Sequence, residues 1–465
     1  MSKGSLTYVR RTGVAGVLSL LLAAGILASM SAAAQVTASR PNILLIQADD
    51  LGYGDLSAYG QTHFQTPRLD KLAREGMRFT DYYAGTTVCA PSRASLMTGL
   101  HTGHTWIRGN GGNATDVPLR DQDVTIGMRL RDAGYRTAVI GKWGLGGPDE
   151  GSPARKGFEY SFGFLNQTHA HEQYTDHLFR NSVSVPVSTK DYANDSFTAE
   201  AAAFIEKSDS KPFFLYLNYT VPHAELLVPE DSLASFRGKF PEKPFVNPRA
   251  DGSGYRSQAT PHAALAAMIT RMDRDIGRLV DLVQARNLDR RTLILFMSDN
   301  GPHVEAGGDP VFFNSSGGLR GVKRDMYEGG IRVPMIARWT GTVPAARTSH
   351  FAAAHWDMFP TLEDVAGLET SSGLDGVSIL PTLRGRQQKP HDFMYWEFHE
   401  GGFSQAVRMG SWKAVRVAKD KPLELYDLGA DVGEQHDVAG QQPAVVAKIE
   451  AYLKTARVES ARWPD

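Results

Sequence analysis

The sequence predicts an α/β protein in which a large, mostly parallel sheet is flanked by helices and followed by a smaller antiparallel α+β domain. Continuous apolar runs typical of buried strands alternate with helical patterns up to about Asp357. Reactive polar residues follow several of these runs, and short strand-like runs replace the alternation beyond Asp357. We therefore expect a signal peptide at residues 1–34, a large domain at 35–357 and a smaller domain at 358–465.

The individual elements follow from hydrophobic periodicity and from start and stop signals. The predicted strands of the large domain are at residues 42–47, 137–140, 213–219, 293–297 and 331–337. Its predicted helices are at residues 66–76, 89–99, 123–134, 195–207 and 261–284, and Asp123 is expected to cap the third. In the smaller domain, strand-like runs at residues 394–397, 405–408, 412–416 and 424–428 precede a final helix at residues 443–456.

The charge of the chain is balanced, with 50 Lys and Arg residues against 51 Asp and Glu residues. Proteins that bind nucleic acid usually carry a strongly basic face or segment. The composition therefore predicts no nucleic-acid partner.

The N-terminus has the pattern of an export signal. Arg10 and Arg11 precede an apolar run at residues 14–30, and small residues at 31–35 offer a cleavage site. The uninterrupted apolar core at residues 14–27 is short for a membrane span. We expect a periplasmic or secreted protein with no membrane span after cleavage.

Cys89 is the only cysteine of the chain, so no internal disulfide is possible. A free thiol is a liability in an oxidising compartment unless it is chemically converted. Pro91 suits the first turn of a helix, which places Cys89 near a helix N-terminus where an anion is favoured. Arg93 adds a positive charge one turn later.

Polar residues follow four predicted strands, and the carboxyl ends of parallel strands meet at one edge of a sheet. They are Asp49 and Asp50, Lys142, His223, and Asp299 with Asn300. Three carboxylates and an amide oxygen form a donor set that selects a hard cation, Ca²⁺ or Mg²⁺. The sequence therefore predicts a cation site at this edge of the sheet.

The stretch from Cys89 through Pro91-Ser92-Arg93 to Thr98-Gly99 resembles the signature of the type I sulfatases. Further blocks resemble the same family in the same order along the chain: Asp49-Asp50, Gly141-Lys142-Trp143, Pro222-His223, Asp299-Asn300-Gly301, residues 321–334 and, more loosely, residues 425–428. The resemblance covers nearly all of the chain that follows the predicted signal peptide. It implies an alkaline phosphatase-like fold and a sulfuric ester hydrolase that acts on a sulfated carbohydrate or an aryl sulfate.

The resemblance also implies a role for each matching residue. Cys89 would be converted to formylglycine (3-oxoalanine) by a formylglycine-generating or an anaerobic maturation enzyme, and its hydrated aldehyde would be the nucleophile. The metal ligands would be Asp49, Asp50, Asp299, Asn300 and the modified Cys89, with Ca²⁺ the usual ion and Mg²⁺ second to it. Sulfate oxygens would be held by Arg93, Lys142 and Lys323, and His223 would protonate the leaving alcohol.

The sequence departs from the family pattern at Gly144, where many sulfatases have a histidine after Gly-Lys-Trp. His169 and His171 are candidates for the substrate pocket, and residues 397–400 are candidates to reach it from the smaller domain.

Two alternative functions stay open. One is a phosphomonoester or phosphonate ester hydrolase of the same superfamily, although a single hard-cation site favours sulfate because related phosphatases usually need two transition metals with more histidine ligands. The other is a calcium-dependent glycan-binding protein without catalysis, although a binding protein has no need of an intact Cys89-x-Pro91-x-Arg93 motif.

Overall fold

The computed structural model describes residues 1–7, 40–110, 117–207, 211–251 and 253–465. The chain divides into two units, Met1–Arg40 and Pro41–Asp465, and the elements below all belong to the second. The charged residues, apolar run and cleavage site of the predicted signal peptide lie outside the described residues. Within the described chain, no helix combines the length and hydropathy that a bilayer span requires.

The strands of the described chain are, in order, β1 (Asn42–Asp49), β2 (Met77–Phe79), β3 (Tyr82–Tyr83), β4 (Arg136–Lys142), β5 (Tyr160–Phe164), β6 (His177–Arg180), β7 (Val183–Pro186), β8 (Phe213–Pro222), β9 (Thr292–Ser298), β10 (Met335–Arg338), β11 (Arg347–Ser349), β12 (Ala353–Ala354), β13 (Met394–Phe398), β14 (Ser404–Met409), β15 (Trp412–Arg416) and β16 (Glu424–Asp427).

The α-helices are α1 (Pro67–Glu75), α2 (Cys89–Thr98), α3 (Ile126–Asp132), α4 (Ala193–Glu206), α5 (Glu230–Leu233), α6 (Pro261–Ala285), α7 (Glu328–Ile331), α8 (Met358–Val365), α9 (Leu380–Leu383) and α10 (Pro443–Leu453). Short 3-10 helices lie at Ser57–Tyr59, His169–His171, Asp289–Arg291, Glu305–Gly307, His355–Asp357 and Ala439–Gln441.

The large sheet has ten strands in the order β11-β2-β10-β9-β1-β8-β4-β5-β6-β7. Its five central strands, β9-β1-β8-β4-β5, are parallel to one another. Antiparallel pairs join β10 to β9 on one side and β6 to β5 on the other, so the sheet is mixed towards its edges. The predicted α/β architecture is confirmed.

Helices cover both faces of this sheet, which explains the continuous apolar runs of its central strands. One face packs against residues of α1, α4 and α6, among them Leu69, Phe197 and Ile276. The other face packs against α2, α3 and α8, among them Met97, Leu130 and Leu362. All residues of β1, β8 and β9 are consequently buried.

The C-terminal part contains a separate antiparallel sheet in the order β13-β14-β15-β16, against which α10 packs through Ile449. The helix α8 belongs to the core of the large sheet, although it follows residue 357. Residues 41–465 form one compact unit, so the division at residue 357 stays a prediction.

Two local expectations are wrong. Asp123 does not cap the third helix, because its carboxylate is bound to Arg120, and the side chain of Thr125 caps α3 by accepting from Met128 N at 3.3 Å. The strand predicted at residues 331–337 begins only at Met335, since Glu328–Ile331 forms a helical turn closed by Arg332 N donating to the Glu328 carbonyl at 2.7 Å.

Candidate active site

Cys89 is the first residue of α2 and is buried. Its Sγ lies 3.4 Å from Asp49 Oδ1, and the following amide, Ala90 N, donates to Asn110 Oδ1 at 3.0 Å. Burial, together with the charge of Asp49, raises the pKa of the Cys89 thiol well above its usual value. The helix N-terminus therefore does not make an unmodified Cys89 a thiolate.

The Arg93 side chain lies beneath this position and is fully buried. Its Nε and Nη2 donate to Asp299 Oδ2 at 3.1 and 2.8 Å, and its Nη1 donates to the Lys142 carbonyl at 3.1 Å. Nη2 is also 3.6 Å from Asp49 Oδ2. Arg93 thus contacts residues at the ends of β9, β1 and β4.

Asp49 is the last residue of β1, and Asp50 follows it as the chain leaves the sheet. Asp50 has a left-handed backbone (φ +64°), and its amide donates to Asp299 Oδ1 at 3.0 Å. Asp49 accepts from Lys142 Nζ at 2.7 Å. Burial alone would raise the pKa of Asp49, but the charges of Lys142 and Arg93 outweigh it and hold the pKa well below its usual range.

Asp299 and Asn300 follow β9 on the other side of β1. Burial, with the nearby charge of Asp49, raises the pKa of Asp299 to about 7. Asn300 Nδ2 donates to Asp50 Oδ1 at 2.6 Å, whereas Asn300 Oδ1 is buried and has no hydrogen-bond partner among the described residues. A buried acceptor without a donor is costly unless something positive faces it.

These observations fit a hard cation. Three buried carboxylates crowd together, the pKa of one is strongly raised, and an amide oxygen lacks a partner. Ligand atoms of Asp49, Asp50, Cys89 and His223 lie within 4.8 Å of one another. A divalent cation would offset the carboxylate charges and satisfy the amide oxygen, and oxygen donors favour Ca²⁺ or Mg²⁺.

Lys323 closes the opposite side of the site. Its Nζ donates to Asp50 Oδ2 at 2.8 Å and to Glu305 Oε2 at 3.0 Å, and it lies 3.1 Å from His223 Nε2. Burial and the charge of Lys323 lower the pKa of His223 well below its usual value. His223 Nδ1 faces the Ala224 carbonyl, so the neutral ring carries its proton there and its Nε2 accepts from Lys323.

The two candidate histidines of the sequence separate in space. His171 stacks on His223, with ring centroids 4.6 Å apart and an interplanar angle of 12°. His169 stacks on His177 instead, and its Nε2 lies 2.8 Å from Thr175 Oγ1. Of the pair, only His171 contacts the site.

The surroundings of Gly144 leave no space for a histidine side chain after Trp143. The φ of Gly144 is +66°, and a Cβ added there would lie 2.2 Å from Gln167 Nε2. The amide of Gln167 occupies this space and donates to the Gly144 carbonyl at 3.0 Å. A larger side chain would require Gln167 to move.

The site also contains residues that sequence reasoning missed. Glu305 accepts from Lys323, Arg324 pairs with Glu305, and Tyr255 lies beside His171 with ring centroids 5.3 Å apart. Glu305 and Tyr255 follow no predicted strand and belong to no recognised motif, so no local signal marks them, whereas Arg324 lies within the family-like block at residues 321–334, where only Lys323 was given a role. Within residues 397–400, Glu400 contacts Arg324 whereas Glu397 is buried against Arg108.

Comparisons with known protein families give matches over most of the chain. The sequence model of the Sulfatase family matches residues 41–368, and the one described as N-sulphoglucosamine sulphohydrolase, C-terminal, matches residues 321–460. The N-acetylgalactosamine-6-sulfatase of Canis lupus familiaris is 30% identical over 429 residues, which cover 86% of this chain and 76% of the relative. The arylsulfatase of Hemicentrotus pulcherrimus is 31% identical over 423 residues, which cover 84% and 70%.

Solved structures show the same fold. Ps i-CgsB in complex with k-i-k-neocarrahexaose matches with a TM-score of 0.77 at 29% identity, over 90% of this chain and 93% of that chain. The phosphonate monoester hydrolase of Agrobacterium radiobacter matches with a TM-score of 0.66 at 23% identity, over 90% and 95%.

Proposed function

The chain belongs to the sulfatase family, and from this premise we propose that it cleaves sulfate from a sulfated carbohydrate or an aryl sulfate, using a formylglycine made from Cys89 and a bound Ca²⁺ ion. One observation carries the proposal. Arg93, Lys142 and Lys323 converge with three carboxylates on the single cysteine, at the carboxyl ends of neighbouring parallel strands.

The proposed groups fit the residues present. Asp49, Asp50, Asp299, Asn300 and position 89 would hold the cation, which would offset negative charge on the carboxylates and on a sulfate group. The maturation enzyme would convert Cys89 to an aldehyde, whose hydrate supplies one hydroxyl as the nucleophile and a second that later expels sulfate.

The chain's own residues bind and orient the substrate in this proposal. Lys142 and Lys323 are buried and pair with Asp49 and Asp50, and their charges, with that of Arg93, would bind the sulfate oxygens beside position 89. Such preorganised charges stabilise a transition state in which negative charge shifts towards the leaving oxygen. The neutral His223 would take a proton from the Lys323 ammonium at its Nε2 and give that proton to the departing alcohol.

The test is release of inorganic sulfate from sulfated sugars and aryl sulfates, measured beside the matching phosphate esters. We expect turnover of sulfate esters with at most slow turnover of phosphates. Preferred turnover of the phosphates would support the phosphoester hydrolase alternative. If protein that carries the aldehyde binds glycans in a calcium-dependent way but does not hydrolyse them, the binding-protein alternative is supported.

The cation has its own test. Chelation should abolish activity, and added Ca²⁺ should restore it more fully than Mg²⁺. Asp299→Ala should weaken Ca²⁺ binding, measured by calorimetry, and should also lower stability, because it leaves the buried Arg93 without the carboxylate that its Nε and Nη2 contact. Full activity of metal-free protein would rule the cation out.

We further propose that the protein is exported to a periplasm or secreted, on the strength of the N-terminal sequence pattern. N-terminal sequencing of protein from the producing cell should find a start near residue 35. A start at Met1 in the active protein would contradict export by cleavage.

A further inference from the structure

A half-exposed group of charged residues lies beside the buried lysine of the site. Arg324 Nη1 donates to Glu305 Oε1 at 2.7 Å, and its Nε donates to Glu400 Oε2 at 3.2 Å. Side-chain exposure is 46% for Arg324 and 26% for Glu400, compared with 3% for Lys323. We call Glu305, Arg324 and Glu400 the rim. The side chains of Arg324 and Glu400 are partly exposed to solvent, whereas that of Lys323 beneath them is not.

The backbone of Arg324 is held in an unfavourable conformation. Its φ is +78°, in the left-handed region that side-chain-bearing residues rarely adopt, and its amide donates to the Thr87 carbonyl at 3.1 Å. Such conformations cost about 1–3 kcal/mol and cluster at ligand-binding sites. Glycine would adopt this backbone conformation without the cost. The presence of an arginine instead indicates that its side chain has a functional role.

The rim adjoins the place where the leaving group would emerge. Glu400 Oε1 accepts from Asn110 N at 2.9 Å, and Asn110 Oδ1 accepts from the amide next to Cys89. Arg324 directly follows Lys323, which contacts His223. The rim is therefore linked by short hydrogen-bonded paths both to the nucleophile position and to the proposed proton donor.

We propose that Arg324 and Glu400 bind the carbohydrate part of the substrate through hydroxyl groups next to the scissile sulfate ester. This inference rests on the proposed function and deepens it, because it selects sugar sulfates over aryl sulfates. A guanidinium donates to hydroxyl oxygens and a carboxylate accepts from hydroxyl protons, so the two side chains together match a pair of neighbouring hydroxyls.

The charges of the rim also limit which sugar fits. Both carboxylates already pair with the Arg324 guanidinium, and Glu305 also pairs with Lys323, so the rim offers a second sulfate no unpaired positive charge and would place it beside the carboxylate of Glu400. Like charges placed together in this way disfavour binding. The expected substrate class is a singly sulfated sugar with a free hydroxyl at the neighbouring position.

The experiment compares variants on four probes: N-acetylgalactosamine 4-sulfate, its 6-sulfate, its 4,6-disulfate and 4-nitrophenyl sulfate, which has no sugar hydroxyl. Glu400→Gln preserves shape and the contact with Asn110 but removes the charge. Arg324→Lys retains charge but loses the paired donors. Arg237→Ala serves as a control, because Arg237 forms a comparable exposed pair with Glu230.

We expect wild-type protein to prefer a monosulfate to the disulfate. On that monosulfate, Glu400→Gln and Arg324→Lys should each lower kcat/KM by at least about tenfold more than on 4-nitrophenyl sulfate. Glu400→Gln should also reduce the preference for monosulfate over disulfate, an effect that a purely structural role would not produce. Arg237→Ala should change none of these ratios.

Several results would overturn the inference. Equal losses on the sugar and aryl sulfates would mean that the rim only supports Lys323. Turnover of 4-nitrophenyl sulfate with none of the three sugar sulfates would also overturn it, while leaving the proposed sulfate ester hydrolysis intact. Inactivity on all four probes, by protein shown to carry the aldehyde, would contradict the proposed function and this inference with it.

Discussion

Single residues at the site take their properties from partners on other strands. Asp49 and Asp299 are both buried aspartates at strand ends, yet the pKa of Asp49 is held low and that of Asp299 is raised to about 7. The difference arises because Lys142 binds Asp49 directly. Asp299 also has a positive partner, Arg93, but it lies near the negative charge of Asp49. A bound cation would remove this asymmetry by offsetting both carboxylates.

Replacement of Cys89 tests the nucleophile at this scale. Cys89→Ser supplies one hydroxyl, which attacks a sulfate ester but has no second hydroxyl to expel sulfate from the product. We expect release of at most about one equivalent of alcohol per protein, followed by a stall. Mass spectrometry should then find a sulfate on residue 89. Steady turnover near the wild-type rate would contradict the formylglycine mechanism.

Replacement of His223 tests the proton donor. Loss of a general acid typically lowers the rate by a factor of about 10²–10⁴, and the loss is smallest for leaving groups that need no protonation. His223→Ala should therefore impair a sugar sulfate at least about tenfold more than 4-nitrophenyl sulfate. Steady-state kinetics on both substrates measures the difference, and equal losses would assign His223 a binding or structural role.

At the scale of elements, the close packing of two strands positions one basic residue of the site, Lys142. β4 carries Lys142 at its end, and Gly141 just before it lets β4 approach β8. Gly141 has φ +100°, and a Cβ built there would lie 1.7 Å from the Asn218 carbonyl oxygen. The position of Lys142 therefore depends on a glycine that neither the strand pattern nor a turn requires.

Gly141→Ala should destabilise the protein and reduce activity together. Gly134→Ala is the matched control, because Gly134 also has a positive φ (+88°) but no atom within 4 Å of an added Cβ. The control should lose about 1 kcal/mol of unfolding free energy through backbone strain. Gly141→Ala should lose at least about 2 kcal/mol more, since β4 must shift from β8. Chemical denaturation measures both, and equal losses would show that the strands accommodate the methyl group.

At the scale of the whole molecule, a buried charge cluster joins the small sheet to the segment that carries Lys323. Lys413 on β15 donates to Glu328 on α7 at 2.9 Å and to Glu434 at 3.3 Å, and all three side chains are fully buried. Glu328 also accepts from Tyr83 OH at 2.7 Å. The small sheet thereby supports α7, the short helix that follows Arg324 in the chain.

Removal of Lys413 would leave two buried carboxylates without their shared partner. We expect Lys413→Ala to lower the free energy of unfolding by about 3–5 kcal/mol, the usual effect of breaking a buried ion pair. Lys419→Ala is the control, because its pair with Asp465 is exposed and should contribute less than about 1 kcal/mol. If denaturation curves of the two variants coincide, the buried cluster does not stabilise the junction.

Much of the fold and of the site could be predicted from the sequence, because local signals carry the information. The central strands form continuous apolar runs, since parallel strands are covered on both faces. Asp49, Lys142, His223 and Asp299 follow such runs, so the topology rule for parallel sheets brings them to one edge. The Cys89 motif and the start of α2 were likewise visible in the sequence.

Only the tertiary structure decided which partners these residues meet. It separated His169 from His171, filled the space beside Gly144 with Gln167, and brought Glu305 and Glu400 to Arg324 across segments far apart in the chain. The physical reason is that strand and helix signals depend on neighbouring residues, whereas charge pairing and side-chain packing depend on distances that chain folding alone sets. The sequence by itself thus determined which polar residues meet at one edge of the sheet, and the folded chain determined the charged and aromatic residues that surround them.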